Sequence, residues 1–251
     1  MKLHQDLYSR SFRPLTQAVP TTKGINLCVS GIIGSGVNMN KRKLLTLSVM
    51  LGIVLTAAFT ASAQMMNFVS AEDAAKKALN VGAKAPEFEL KDSTGKLVSS
   101  KTLLKQGSMV LTFYRGSWCP FCNTYLRKLG QRMPDIKAAG GNLVAISVEN
   151  PDASMAVAKK NEVLFPVLSD PNLDVARKFG IVYQMQPETD ALYKKNGLDV
   201  AKHNAMDKPE LPLAVTYIIN KKGIITYAFI ETDYKKRAEP DVLIENLKKK
   251  M

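Results

Sequence analysis

The sequence predicts an α/β fold built on a central mixed β-sheet flanked by helices. Three observations carry this. Apolar runs of strand length alternate with stretches of helical spacing along most of the chain. Leu143–Val148 is continuously apolar, as a strand covered on both faces requires. Near the C-terminus, Leu213–Ile219 and Ile224–Ile230 flank Asn220-Lys221-Lys222-Gly223, a turn that adds an antiparallel hairpin to the sheet.

The elements follow in order. Phe68–Asn80 carries Ala and Lys in a helical pattern, starting at Ser70-Ala71-Glu72-Asp73. Val81–Leu90 leads into a short strand, which Asp92-Ser93-Thr94-Gly95 turns back through Lys96-Leu97-Val98. Ser100–Lys105 reads as a short helix. Met109–Tyr114 has the composition of a buried strand, and Tyr125, Leu126 and Leu129 mark the helix after it. Pro134 starts a new turn or kinks that helix, and Gly140-Gly141 ends it. Beyond Leu143–Val148, a helix is expected over Pro151–Asn161, a strand over Phe165–Leu168, and a helix over Asn172–Phe179 closed by Gly180. A further helix over Gln186–Asn196 ends at Asn196-Gly197. Pro240–Lys250 is the last helix, with Val242, Leu243 and Leu247 as its apolar face.

The chemistry sits in Arg115-Gly116-Ser117-Trp118-Cys119-Pro120-Phe121-Cys122, where the strand gives way to the helix. A free thiol with a pKa near ~8.5 is mostly protonated at neutral pH, and the thiolate is the nucleophile. A helix N-terminus presents unpaired N–H groups and a positive dipole end, which stabilise a thiolate at Cys119. Arg115 adds a full charge nearby. Pro120 suits the first helical turn because its missing N–H would have no partner there. Cys122 lies one turn further on the same face, so Cys119 reads as the attacking thiol and Cys122 as the resolving one. Two plainer readings compete. Zinc needs four ligands, yet beyond residue 63 the chain offers only these cysteines and His203. A purely structural Cys119–Cys122 disulfide would close a loop too short to remove much chain entropy.

The 251 residues carry a formal net charge of +13 and are 46% hydrophobic, enough for one substantial domain. Residues 1–63 hold seven basic side chains and one acid, leaving 28 basic against 21 acidic in the remainder. With no basic stripe interleaved with aromatics, nucleic-acid binding is not expected. Lys41-Arg42-Lys43, the apolar Leu44–Phe59 and Ala61-Ser62-Ala63 form the three parts of a secretory signal peptide over 39–63. An uncleaved anchor is the competing reading, although sixteen apolar residues are short for a span. No cysteine directly follows the apolar stretch, so a lipid anchor is not expected. A signal peptide belongs at a chain start, so translation is expected to begin at Met39, with 1–38 an over-extended gene start and Cys28 without a role. The divisions are then 1–38, the signal peptide 39–63, an N-terminal helix or linker 64–80, and the main domain 81–251. Export permits disulfides. The periplasm is the expected compartment, with no stable membrane association after processing.

From Val81 to Lys250 the chain resembles the alkyl hydroperoxide reductase/thiol-specific antioxidant family of the thioredoxin-fold superfamily. The likeness rests on Gly82-Ala83-Lys84-Ala85-Pro86-Glu87-Phe88, Asp92-Ser93-Thr94-Gly95-Lys96 and Phe113–Asn123, which is similar to the active-site loop of its peroxiredoxin-like branch. It continues through Leu168-Ser169-Asp170-Pro171-Asn172, Phe179-Gly180, Ile218–Gly223, and Asp233-Tyr234 with Arg237-Ala238-Glu239-Pro240. Two positions depart from the family pattern. Gly116 stands where typical members carry a Thr, and Ala214 where they carry an Arg. Pro212 lies two residues short of the position of the thioredoxin-type proline.

The resemblance implies a thioredoxin-like fold and an antioxidant thiol peroxidase. Cys119 would attack hydrogen peroxide or an organic hydroperoxide, a Cys119–Cys122 disulfide would form, and a thioredoxin-like donor would reduce it. The alternative is an exported thiol–disulfide oxidoreductase using the same two cysteines, and a non-enzymatic alternative is a redox-inactive interaction domain. No metal or bound cofactor is implied. Arg115 is the expected stabiliser of thiolate and peroxide, against a surface salt bridge. Ser117 or Tyr114 would donate a hydrogen bond, and Trp118 would shape the loop. Glu149 reads as a cap or a proton relay under the motif, and His203 as an ordinary residue of a polar loop.

Overall fold

The computed structural model describes residues 68–161 and 163–249. The expected signal peptide at 39–63, the preceding segment with Cys28, and residues 64–67 lie outside the described residues.

Seven strands form one mixed sheet: β1 (Glu89–Asp92), β2 (Leu97–Ser99), β3 (Ser108–Phe113), β4 (Gly141–Ser147), β5 (Val167–Ser169), β8 (Thr216–Ile219) and β9 (Ile225–Phe229). Their order is β2-β1-β5-β4-β3-β8-β9. β3, β4 and β5 run parallel, while β8 pairs antiparallel with β3, and β1 antiparallel with β5. β4 is therefore the middle strand. That is why Leu143–Val148 lacks alternation: Val144, Ile146 and Val148 face one core, Leu143 and Ala145 the other. β3 divides in the same way, with Met109, Leu111 and Phe113 on one side and Val110 and Tyr114 on the other.

The first core is aromatic at its centre. Phe179 lies 5.3 Å from Phe113 and 5.4 Å from Tyr217, ring centre to ring centre. It is covered by α1 (Ala71–Lys77), α2 (Ser100–Gln106), α6 (Asp174–Lys178), α7 (Pro187–Lys195) and the short α8 (Val200–His203). The second core lies under α3 (Pro120–Gln131), α4 (Met133–Ala138), α5 (Pro151–Lys160) and α9 (Pro240–Lys248). Leu126, Leu129 and Leu243 are completely buried there, each stabilising the fold by roughly 1.5–3 kcal/mol.

Several boundaries have readable causes. Ser70 caps α1 by accepting the Asp73 N–H at 3.0 Å. Asn150 does the same for α5 through the Ala153 N–H. Pro134 opens α4 rather than kinking α3. α1 is not a detached linker: the Leu79 N–H donates to the Phe179 carbonyl, and the Gln184 N–H to that of Val69. Gly180, at φ +73°, lies so close beneath α1 that a Cβ there would collide with the Lys77 carbonyl.

The structure corrects two features. Val242 is 38% exposed and not part of the apolar face of α9, which consists of Leu243, Ile244 and Leu247. The region 181–212 is more ordered than its composition suggests. β6 (Val182–Gln184) pairs antiparallel with β7 (Glu210–Pro212) in a small second sheet, enclosing α7 and α8.

Candidate active site

Cys119 is the N-cap of α3, Pro120 its first residue, and the Cys119 carbonyl accepts the Asn123 N–H at 3.1 Å. The preceding turn closes through the Cys119 N–H, which donates to the Gly116 carbonyl at 3.1 Å. Cys122 follows one helical turn later, and the two sulfurs hydrogen-bond at 2.7 Å. Both are free thiols and both are buried. The spacing read from the sequence thus brings together the expected pair.

The sulfurs share one acidic proton, and the surrounding charges decide where the anion rests. The hydrogen bond that the Cys119 thiol gives Cys122, together with burial, holds the Cys119 thiol up, and the Arg115 charge opposes this only in part. Burial would also raise Cys122. The hydrogen bond with Cys119, the Arg237 charge, and the backbone and charge of Arg115 outweigh it and bring Cys122 down to about 6. The nearby cations thus favour an anion on Cys122, within hydrogen-bond reach of the Cys119 thiol.

Arg115 is not the surface ion pair that an exposed loop would suggest. It is 3% exposed, and its Nη2 donates to Tyr193 Oη at 3.3 Å. Its guanidinium carbon lies 4.0 Å from the Tyr234 ring centre, 4.9 Å from that of Trp118 and 5.8 Å from that of Tyr193. These faces hold a cation without neutralising it. Its Nε has no hydrogen-bond partner among the described residues. The negative charges that reach it include those of the two cysteines and of Tyr183 and Tyr193 when ionised. Trp118 packs edge-on to Tyr193 at 5.8 Å, the shaping role expected of it.

On the other side of the turn, Glu149 is 1% exposed. Its Oε2 accepts the Ser117 N–H at 2.7 Å, and its Oε1 accepts the Ser117 hydroxyl at 2.6 Å. It therefore caps the loop, and Ser117 spends its hydroxyl there instead of offering it toward the sulfurs. Asn123 Nδ2 adds a bond to the Ser117 carbonyl at 2.7 Å. His203 is not an ordinary loop residue. It ends α8, and its Nε2 lies 2.8 Å from Glu149 Oε1. Tyr114 is buried against the sulfur-bearing core, directly after β3.

The departure at Gly116 has a steric cause. At φ +150°, a Cβ there would lie 2.5 Å from Trp118 Nε1 and 3.1 Å from Glu149 Oε1. A Thr at this position would displace the tryptophan and the carboxylate that define the loop. Pro212, for its part, ends β7 opposite Val182, and the chain reaches β8 through Leu213, Ala214 and Val215.

Sequence reasoning missed Arg237, whose Nη2 lies 3.4 Å from Cys122 Sγ. It also missed the joining of His203 to Glu149. Arg237 had a signal, since it stands in the Arg-Ala-Glu-Pro segment at the start of the last helix. The His203 contact had none, because 54 residues separate the partners.

Known proteins place this arrangement. The model of the AhpC/TSA family matches residues 81–228. Peroxiredoxin Bcp of Escherichia coli K12 is 33% identical over 104 residues, 41% of this chain and 65% of that protein. A chloroplastic peroxiredoxin Q of Populus jackii is 26% identical over 147 residues, 59% of this chain and 58% of the relative. The chain thus spans less than two thirds of the length of these relatives. Among solved structures, peroxidoxin BcpB of Mycobacterium tuberculosis superposes with a TM-score of 0.56 at 19% identity, covering 69% of this chain and 99% of that one. Peroxiredoxin Q of Xanthomonas campestris gives 0.52 at 16% identity, over 65% and 90% of the two chains. The fold is that of the thioredoxin-like peroxiredoxins, and the chain belongs to the AhpC/TSA family.

Proposed function

We propose that the protein is a peroxiredoxin-like thiol peroxidase. The observation that carries this is the Cys119–Cys122 pair at a helix N-terminus, 2.7 Å apart, with cations and, among the described residues, no carboxylate bonded to either sulfur. Membership in a family whose relatives here are peroxiredoxins supports it.

Cys119 is the nucleophile, because it stands at the turn and Cys122 lies a full turn inside the helix. As Cys119 attacks, its proton passes toward Cys122 and the Cys119 sulfur takes the distal peroxide oxygen. The O–O bond breaks, and the departing alkoxide or hydroxide takes the proton, leaving as alcohol or water. Arg115 stabilises the negative charge on sulfur and oxygen during this step. Cys119 is left as a sulfenic acid, which Cys122 converts to the disulfide. An external thioredoxin-like donor returns the pair to thiols by exchange. Export through residues 39–63 places this cycle in the periplasm, where no glutathione pool maintains reduction.

The test follows the reduced protein after mixing with excess hydrogen peroxide or an organic hydroperoxide, using the single tryptophan, Trp118, as the optical probe. Oxidation at ~10⁴ M⁻¹s⁻¹ or faster lies in the enzymatic range. The expected result also includes a trappable sulfenic acid in Cys122→Ser and no reaction in Cys119→Ser. Oxidation no faster than that of a free thiol, with rapid reduction of insulin disulfides, would overturn the reading in favour of a thiol–disulfide oxidoreductase. That second activity draws its support from the Trp-Cys-x-x-Cys arrangement and from Gly116 and Ala214 in place of Thr and Arg.

A further inference from the structure

Arg237 has no role in the peroxide step, yet it touches a reacting atom. Its Nη2 lies 3.4 Å from Cys122 Sγ. Its Nη1 donates to the Lys236 carbonyl at 2.9 Å, and its guanidinium carbon lies 5.8 Å from the Tyr125 ring centre. Tyr125 is itself fixed, since its hydroxyl donates to the Ala238 carbonyl at 2.9 Å. The guanidinium is therefore anchored on two sides, by the Lys236 carbonyl and the Tyr125 ring, and directed at sulfur. Arg132 and Arg177, by contrast, hold carboxylates: Arg132 those of Asp135 and Asp241, Arg177 that of Glu210. Among the described residues no carboxylate pairs with Arg237.

We propose that Arg237 is a catalytic residue of the second half-reaction, holding Cys122 as the thiolate that closes the disulfide. This rests on the peroxidase reading of the Cys119–Cys122 cycle. In the reduced protein the Cys119 thiol supports the Cys122 anion through the 2.7 Å sulfur–sulfur hydrogen bond. In the sulfenic acid that S–H no longer exists. Cys122 is fully buried, and burial alone would return it to the protonated, unreactive thiol. The groups facing it are Cys119, Arg115, Arg237 and the buried Tyr114. Of the two cations, Arg115 acts on both sulfurs, whereas Arg237 is hydrogen-bonded to Cys122.

Closure balances as follows. The Cys122 thiolate attacks the sulfur of the Cys119 sulfenic acid, an S–S bond forms and the S–O bond breaks. Hydroxide leaves and takes a proton from solvent to become water. The Cys119 sulfur is reduced from the sulfenic to the disulfide level, and Cys122 is oxidised from thiolate to the same level. The positive guanidinium keeps the attacking pair of electrons available without donating a carbon-bound or metal-bound group of its own.

The experiment compares the full protein with Arg237→Gln and Arg237→Lys. Stopped-flow mixing with hydrogen peroxide resolves formation of the sulfenic acid from its closure, and a cyclic 1,3-diketone traps whatever sulfenic acid persists. Thiolate absorbance near 240 nm is titrated in parallel. The expected result is closure slowed by about tenfold or more in Arg237→Gln, a clearly larger change than in the first phase. Trapped sulfenic acid should increase, thiolate absorbance at neutral pH should fall, and Arg237→Lys should recover part of each. Closure and titration unchanged in Arg237→Gln would overturn the proposal. An aromatic disulfide reagent separates the two readings. It labels Cys119, and Cys122 then expels a second coloured thiolate. If peroxide gives no fast phase the peroxidase reading fails, and the rate of that second release still decides the role of Arg237.

Discussion

The turn from Gly116 to Cys119 has two flanks of opposite character. On one, a single buried carboxylate, Glu149, is saturated by the Ser117 N–H, the Ser117 hydroxyl and His203. On the other, Arg115 and Arg237 face two sulfurs with no carboxylate pairing with either among the described residues. The first flank has its carboxylate satisfied by hydrogen bonds from within the protein. In the proposed cycle the second has its charge balanced by the Cys122 thiolate, so it would change on disulfide formation. The comparison teaches a division of labour: one side fixes the loop so that the other can change charge without moving it.

Removing the carboxylate is the severest way to break this division. Glu149→Ala leaves three donors without an acceptor, two of them on the loop before Cys119. Hydrogen bonds to a charged group contribute roughly 1.5–3 kcal/mol each, and orphaned buried donors add a desolvation penalty. We expect a loss of about 4 kcal/mol in urea unfolding, with Glu149→Gln intermediate because its amide oxygen still accepts. A loss under about 1 kcal/mol would mean that water replaces the carboxylate and that the flank is not a fixed support.

Gly116→Ala attacks the same flank sterically. The new Cβ meets Trp118 Nε1 at 2.5 Å in a backbone region that L-residues avoid. About 3 kcal/mol of destabilisation is expected, with a shift in Trp118 fluorescence as the indole moves. Unchanged fluorescence and stability would show that the loop has room for the side chain, and would remove the steric account of why this chain lacks a Thr there.

What the sequence showed and what it hid follow the same division. The strand Met109–Tyr114, the helix from Pro120 and the Cys119–Cys122 spacing are local, carried by composition and periodicity within about twenty residues. The central position of Leu143–Val148 was legible because a strand buried on both faces loses its alternation. The Glu149–His203 and Arg237–Cys122 contacts join residues 54 and 115 apart, and nothing local records which polar side chains will meet. The β6–β7 pair escaped because its strands have three residues each, too few for alternation to register. Val242 misled because helical spacing allowed two registers for the α9 face, and packing chose the one through Ile244.

The sulfur flank is sharpened by pH. Cys122 is lowered to about 6 in the folded reduced protein, whereas an unfolded thiol loses its proton near pH ~8.5. A depressed acid stabilises the folded state fully above the unfolded pKa, and that gain is lost as pH falls through the folded one. Reduced protein should therefore gain about 1.4 kcal/mol per pH unit between roughly pH 6 and 8.5, and the disulfide form should show no such gain. The reduction potential should fall by about 60 mV per pH unit below pH 6, where two protons accompany two electrons, and by about 30 mV above it. A slope of 60 mV persisting to pH 8 would mean that neither sulfur rests as a thiolate, and the two flanks would then differ in geometry alone.

The smallest effect is expected at the outer edge of the carboxylate flank. His203 approaches Glu149 Oε1 at 2.8 Å, but its side chain is 35% exposed, so water can take its place when it is removed. Ser117 would keep both of its bonds to Glu149. His203→Ala should therefore lower stability by only about 0.5–1 kcal/mol, and thiol titration should be unchanged, because His203 bonds the carboxylate and not a sulfur. Its informative readout is the double mutant with Glu149→Gln. If His203 acts only through the carboxylate, its loss should cost less once that charge is gone, giving a coupling of a few tenths of a kcal/mol. Strict additivity would instead place the contribution of His203 in the packing of α8 against the first core, making the carboxylate flank a two-residue device of Glu149 and Ser117.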